Sequence, residues 1–552
     1  MRYIKKDIVI SASLLLMLLS ANIYTLLFAD TLFSGAESRI WYLFVLFVSY
    51  TAGLLLMRLR TFFIVAGVTQ MVVLPIEVSS LYLNGEPVSM PYMSWILSTN
   101  STEAGELIAT TWWLIPVLLV VWGTYGVLTA LLDPQLRLRD DQRLVARLLF
   151  ALSFVCMLIQ HRYTLNQNYT APNRRVYTGI YAWSLGMKIG KVFPYDIYLQ
   201  TFRAYKHKKE TESIAGLSDF RFGIYPRTDR DSALYVLVLG EAARFQNFSL
   251  NGIYPRETNP MLSQEPNLLF FTHAYTEANA TNLSLPLMIT RAQADEPIVA
   301  YHEKTVAGAF QEAGYKTAWL SADASPIQYM QHILPTLDTA WIAPEEALDE
   351  VLLAPCKNLI ETFPTTSLVI LHTKGSHLNY QDRYPESFEV FKPCLKPGAP
   401  NGHFNKELMT NTYDNSIRYT DYLLDALIRM LDASGRCACL IYMPDHGENL
   451  CDDERKLWVH GSYEGSLYEY HVPLIVWYSS RFQDRYPEKV AAMKANRDKR
   501  ITDQVLFHTL CNMAQLQEVA ESRYCLTSDS LEDQTDICVL NGKGELIPLP
   551  GR

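Results

Sequence analysis

Three apolar stretches of strand length run straight into side chains that bind metals or move protons. Leu234–Leu239 leads into Gly240-Glu241. Ser367–Leu371 leads into His372 and then His377, and Cys439–Met443 leads into Asp445-His446-Gly447-Glu448. A further His-Gly pair, His460-Gly461, comes fourteen residues after His446. Each residue alone says little: a glutamate after a strand usually caps a helix, and an isolated histidine is more often structural. Together they predict one site, because ligands of open α/β sheets collect outside the carboxyl ends of the strands. Carboxylates and imidazoles without paired thiolates suit zinc or manganese in a site open to substrate.

Ester chemistry on phosphorus or sulfur also needs a nucleophile. Residues 274–290 read AYTEANATNLSLPLMIT, and Thr281 stands before a predicted helix of two or three turns. A hydroxyl there meets backbone N–H groups and a helix dipole that favour an anion. Spacing alone reads Thr281 more simply as an N-cap, and Thr276 and Ser284 are rival nucleophiles. A metal bonded to the hydroxyl would make it nucleophilic near neutral pH.

The elements that must carry these residues can be read from hydropathy. Beyond about residue 230, strand-like runs alternate with helix-like stretches, the pattern of a mostly parallel α/β sheet. The strands are expected at Leu234–Leu239, Thr317–Leu320, Ser367–Leu371, Cys439–Met443 and Val472–Trp477. The front of the chain differs. Of 105 charged residues among 552, residues 1–165 hold 21, and the remaining 37 basic and 47 acidic residues lie behind. Apolar runs at Ile8–Ala29, Ile40–Met57, Thr61–Ile76 (continuing toward Leu83 past Glu77) and Thr111–Leu132 are long enough to span a bilayer. A fifth, weaker run over Val145–Gln160 contains Arg147. With five spans, Lys5 and Lys6, Arg58 and Arg60, and Arg137, Arg139 and Arg143 all fall on the cytoplasmic side, and everything after about residue 163 faces outward.

The organisation expected is a five-span membrane domain (1–163), an amphipathic bridge on the membrane surface (164–230) and a soluble α/β domain (231–552). An acidic balance excludes nucleic acid as the main partner, since phosphates call for clustered Lys and Arg. Eight cysteines lie beyond Cys156: an even set compatible with disulfides, although Cys437 and Cys439 equally suit a buried strand.

Gly240–Pro260 (GEAARFQNFSLNGIYPRETNP) resembles the signature of the phosphoethanolamine transferases, membrane enzymes that modify lipid A and confer polymyxin resistance. The likeness continues through Asn279–Pro286, His372-Thr-Lys-Gly-Ser-His377 with Arg383-Tyr384-Pro385, Tyr413–Ser416, Pro444–Glu448 and His460-Gly461. The resemblance implies a sulfatase-like domain of the alkaline phosphatase superfamily behind five transmembrane helices, in the inner membrane of a Gram-negative cell, with the catalytic domain in the periplasm. It implies that Glu241, Thr281, Asp445 and His446 bind zinc, with one or two ions in all and manganese possible. Thr281 would be the nucleophile, and His377 and His460 would hold the phosphoryl group or a second zinc. The implied reaction takes phosphoethanolamine from phosphatidylethanolamine onto Thr281, releases diacylglycerol, and passes the group to lipid A or another envelope glycan.

The chain departs from the family in places. Where many members carry a disulfide around the nucleophile, positions 277 and 287 hold Glu277 and Leu287, so packing is expected to hold the loop, with Glu277 adding negative charge nearby. A polar donor-binding pair of the family has Asp323 as its nearest counterpart. Glu103 and Glu106, in the polar 84–110 loop, are candidates to meet the donor's ammonium group. The alternatives are a phosphoglycerol transferase of the lipoteichoic acid synthase type and a non-catalytic membrane scaffold.

Overall fold

The computed structural model describes residues 2–28, 36–84, 87–99, 104–105, 107–108, 111–168, 192–212, 220–227, 232–323, 328–363, 365–396, 405–462 and 464–551. The chain divides into two compact units, Met1–Ser94 with Thr111–Tyr205, and Trp95–Thr110 with Lys206–Arg552.

The first unit is helical. Among the described residues, four helices are long and apolar enough to cross a membrane, over Lys6–Phe28, Arg39–Leu56, Leu59–Leu83 and Leu114–Leu131. Their outward faces carry apolar side chains such as Val9, Leu56, Val72 and Val120, as helices bathed in lipid do. Glu77, the charge inside the third run, is fully buried and accepts the Val88 N–H. The fifth expected span is a helix too, Asp140–Asn168, but it opens with Asp140, Asp141, Arg143 and Arg147 and falls outside those four. In the helix Tyr195–Glu212, the exposed residues Tyr195, Tyr198, Phe202 and Tyr205 recur at helical spacing and form one aromatic stripe.

The second unit is built on an eight-stranded sheet. Its strands are β1 (Leu234–Gly240), β2 (Leu268–Tyr275), β3 (Lys316–Ser321), β4 (Thr339–Ile342), β5 (Ser367–His372), β6 (Ala438–Pro444), β9 (His471–Tyr478) and β10 (Ile501–Thr502). The spatial order is β10-β2-β9-β6-β1-β5-β3-β4. Only β9 runs against its neighbours β2 and β6; every other pairing is parallel. All five expected strands form. The sequence pattern did not disclose β2, β4 and β10, and β10 and β4 are short edge strands with little pattern to read. Buried on both faces, β1, β5, β6 and β9 are almost continuously apolar. A short pair, β7 (Asn449–Leu450) and β8 (Trp458–Val459), lies between β6 and β9 in sequence. The eight cysteines of the second unit are free thiols.

Because β1, β2, β3, β5, β6 and β10 point the same way, their carboxyl ends share one edge. Register fixes the layout there: Leu239 lies beside His372 and Met443, and Ser321 beside His372.

Candidate active site

The β1 edge ends in a forced turn. Ala242 takes a left-handed backbone (φ 52°), and its carbonyl accepts the Tyr413 hydroxyl at 2.7 Å. This conformation is costly for a residue with a Cβ. It leaves Glu241 buried at the sheet edge. Two close backbone approaches complete the turn. A Cβ on Gly375 would lie 2.6 Å from the Glu241 carbonyl oxygen, and one on Gly447 would lie 2.1 Å from that of Tyr468. Those glycines in the Gly-Ser-His and Asp-His-Gly motifs are therefore steric necessities.

Thr281 opens the helix Thr281–Met288, but the N-cap is Ala280. The hydroxyl is thus not spent on capping. Its oxygen lies 3.2 Å from Glu241 Oε2 and 3.2 Å from His446 Nε2. His446 Nε2 in turn lies 3.3 Å from Glu241 Oε1 and 3.4 Å from Asp445 Oδ2. The rivals are occupied or enclosed: Thr276 is fully buried and donates to the Asp445 carbonyl at 2.6 Å, and Ser284 is fully buried.

These distances define a cation site. Ligand atoms about 2.0–2.2 Å from one tetrahedral ion sit about 3.3–3.6 Å from one another, close to the separations of His446 Nε2 from Glu241 Oε1, Asp445 Oδ2 and Thr281 Oγ1. His446 Nδ1 lies 2.8 Å from the Gly447 carbonyl, which can only accept, so Nδ1 carries a hydrogen and Nε2 is the nitrogen that a cation would take once its own proton leaves. Glu241 Oε1 is buried without a hydrogen-bond donor. Asp445 Oδ2 is likewise buried without a donor, and two such carboxylate oxygens beside one imidazole call for a positive charge. The residues present fit zinc or manganese.

Electrostatics agree. Burial raises Asp445, and the neighbouring Glu241 raises it further. Burial by itself would lower His446, but Asp445 and Glu241 hold it well above the ordinary imidazole range. Burial by itself would raise Glu241, but His446, His377 and His460 hold it below the usual carboxylate range. Without a metal the cluster gathers protons in place of a cation.

His460 joins this cluster: one ligand atom from each of Glu241, His446 and His460 lies within 4.8 Å of the others. His377 stays outside that group and is half-buried, close enough to act on Glu241. Asp323 is half-buried just past the end of β3, and Glu103 and Glu106 lie outside the described residues.

Several supporting residues carry no signal of their role in the motifs. Glu469, fully buried, accepts from Ser462 N and Oγ, from Ser466 N and from Asn279 Nδ2, and so ties the His460 loop to the Thr281 loop. The spacing Ser466-x-x-Glu469, a capping box, was the one local sign of it. Glu277 was expected only to add charge beside a loop held by packing. Instead it holds the loop itself, accepting from Ala294 N at 2.7 Å and from Thr502 Oγ1 at 2.8 Å. Its partners come from distant segments, which local sequence does not reveal.

The sulfatase family model matches residues 233–516, more than half of the chain, and the chain belongs to that family. The phosphoethanolamine transferase EptA of Escherichia coli O157:H7 is 29% identical over 318 residues, 55% of this chain and 56% of EptA. The Kdo(2)-lipid A phosphoethanolamine 7''-transferase of Salmonella typhimurium is 30% identical over 267 residues, 46% of each chain. The chain thus matches about half the length of these relatives. A solved structure shares the fold along most of the chain: the integral membrane lipooligosaccharide phosphoethanolamine transferase A of Neisseria meningitidis, with a TM-score of 0.63 and 20% identity, covers 93% of this chain and 98% of its own. The resemblance read from the motifs is borne out by these matches.

Proposed function

We propose that the protein transfers phosphoethanolamine from phosphatidylethanolamine to lipid A or another envelope glycan by way of Thr281. The observation that carries this reading is the Thr281 hydroxyl held 3.2 Å from both Glu241 and His446 at the rim of a buried acceptor cluster. The relatives' activities support the transferred group, and the Salmonella relative's name supports a lipid A acceptor.

Thr281 Oγ gives up its proton and attacks the donor phosphorus, and the bond from phosphorus to the diacylglycerol oxygen breaks. That oxygen takes up a proton, and phosphoethanolamine remains on Thr281. An oxygen of the acceptor then attacks the same phosphorus, and the bond to Thr281 Oγ breaks. A zinc or manganese ion bound by Glu241, Asp445, His446 and Thr281 would supply positive charge that acidifies the hydroxyl and offsets charge on the phosphoryl oxygens. The start of the helix at Thr281 directs backbone N–H groups toward that charge, and His377 and His460 flank the phosphoryl position. Asp323, Glu103 and Glu106 belong to the donor side.

The same proposal places the catalytic domain in the periplasm, the helix Asp140–Asn168 across the inner membrane as the fifth span, and the aromatic stripe of Tyr195–Glu212 against the lipid surface. Mass spectrometry of lipid A from cells expressing the wild type or Thr281→Ala tests it. A gain of one phosphoethanolamine unit with the wild type alone is expected. Equal profiles of lipid A and of the other envelope glycans for the two, with both proteins folded and abundant, would overturn the reading, and phosphoglycerol trapped on Thr281 would replace the donor.

A further inference from the structure

We infer that Glu448 is the positioning residue that makes His460 a cation ligand, with Tyr380 fixing Glu448 in turn. The inference rests on the cation site proposed above and concerns a residue to which the reaction itself assigns nothing.

His460 sits where its conformation needs outside support. The preceding residue, Val459, has a positive φ of 61°, and Gly461 comes next at 77°. A β-branched residue adopts that backbone only when its surroundings impose it. The imidazole is also partly open, with 22% of its side chain exposed. Left alone, such a ring can turn over or exchange tautomers.

Glu448 removes both freedoms. Its side chain is completely buried, and Oε2 lies 2.8 Å from His460 Nδ1. Its other oxygen accepts the Tyr380 hydroxyl at 2.6 Å. A carboxylate bound in this way can only accept, so the His460 hydrogen belongs on Nδ1 and the lone pair on Nε2. Nε2 is then the nitrogen turned toward Glu241 and His446, the two residues with which His460 forms a group of ligand atoms. His446 is set the same way by the Gly447 carbonyl, and the two rings lie 3.8 Å apart between centroids. Both imidazoles thus keep Nε2 available to a cation.

The carboxylate is itself anchored. Tyr380, fully buried, meets the Tyr413 ring edge-on at 5.1 Å, and the Tyr413 hydroxyl donates to the Ala242 carbonyl beside Glu241. One continuous set of contacts therefore runs from the outer ligand, His460, back to the turn that presents Glu241.

The test is zinc binding to the purified full-length protein, by calorimetric titration with zinc chloride and by bound-zinc content after competition with a chelator. Glu448→Gln is expected to weaken the His460-dependent zinc by about 10–100-fold, the usual effect of removing an outer partner, and to approach His460→Ala. Tyr380→Phe, which keeps the carboxylate, is expected to weaken it less. Histidine ¹⁵N shifts should show His460 leaving the Nδ1–H tautomer in Glu448→Gln alone. A folded Glu448→Gln with wild-type zinc affinity and an unchanged tautomer would sink the inference. Should Glu448→Gln not fold, wild-type zinc binding and tautomer in Tyr380→Phe would sink the anchoring chain from Tyr380. Because neither readout needs the donor lipid, unmodified lipid A from wild-type cells would overturn the proposed reaction and leave this inference standing.

Discussion

Two pairs of buried acids lie near the same sheet edge, and they behave differently. Glu241 Oε2 and His446 Nε2 share the single Thr281 hydroxyl, Asp445 Oδ1 receives His446 N and Ala242 N, and Glu241 Oε1 and Asp445 Oδ2 meet no donor. Glu277 receives an N–H and a hydroxyl, and Asp503 Oδ2 receives Glu277 N at 3.1 Å and lies 3.1 Å from the Thr276 hydroxyl, which it shares with the Asp445 carbonyl. Residue types and burial are alike in both pairs, so neither can separate a ligand from a brace. The supply of donors does. The first pair keeps two oxygens without a donor, turned to one imidazole, and calls for a cation. The second has one oxygen without a donor, Asp503 Oδ1. Burial raises both Glu277 and Asp503, and the neighbouring Asp503 raises Glu277 further, which favours a proton on the pair.

The most direct way to break this comparison is to neutralise one acid from each pair. Glu241→Gln is expected to lower zinc affinity by more than the about 10–100-fold that an outer partner costs, whereas Glu277→Gln should leave the isotherm unchanged. Zinc loss of similar size in both variants would show that the pairs are not distinct. Next in size is the proton count. Asp445 and His446 are both raised in the metal-free cluster, so zinc must displace protons from them. Calorimetry near pH 7 in buffers of different ionisation enthalpy is expected to show net proton release for the wild type and less for Asp445→Asn.

How much of this the sequence disclosed depends on where the partners lie. Glu241, His372 and Asp445-His446 were legible because an apolar strand announces its own end, and the residues just beyond that end land at the sheet edge. Thr281 was legible as a hydroxyl opening a helix; that Ala280 holds the cap was not. Glu277 was misread because Ala294 and Thr502 become its partners only after the chain has folded. Glu448 stood in a recognised motif without a role, since Tyr380 lies 68 positions away in sequence. In the helical unit, the charges of Asp140–Asn168 blurred a hydropathy signal that the other four helices give clearly.

The brace itself offers a smaller effect. Glu277→Ala leaves the Ala294 N–H and the Thr502 hydroxyl without their acceptor in a buried place, and an unsatisfied group of this kind costs about 1–3 kcal/mol. A lower melting temperature with unchanged zinc affinity is expected. Weakened zinc binding would mean that the brace also sets the geometry around Thr281.

The smallest effect carries a sign. Glu277 and Asp503 have pKa values raised in the fold, Asp503 to about 7 from 3.8. Between these values the folded protein keeps a proton that the unfolded chain has lost. The pair's contribution is therefore complete below the unfolded carboxylate pKa and is lost as pH rises through about 7. Glu277→Gln removes one of the two charges and with it the repulsion that the shared proton relieves. Melting temperatures measured from pH 5 to pH 8 are expected to show the variant gaining on the wild type as pH rises. Parallel curves would mean that no proton is shared. Glu277 would then be an ionised brace held by its donors alone, and the contrast with Glu241 would rest on hydrogen bonding without a difference in charge.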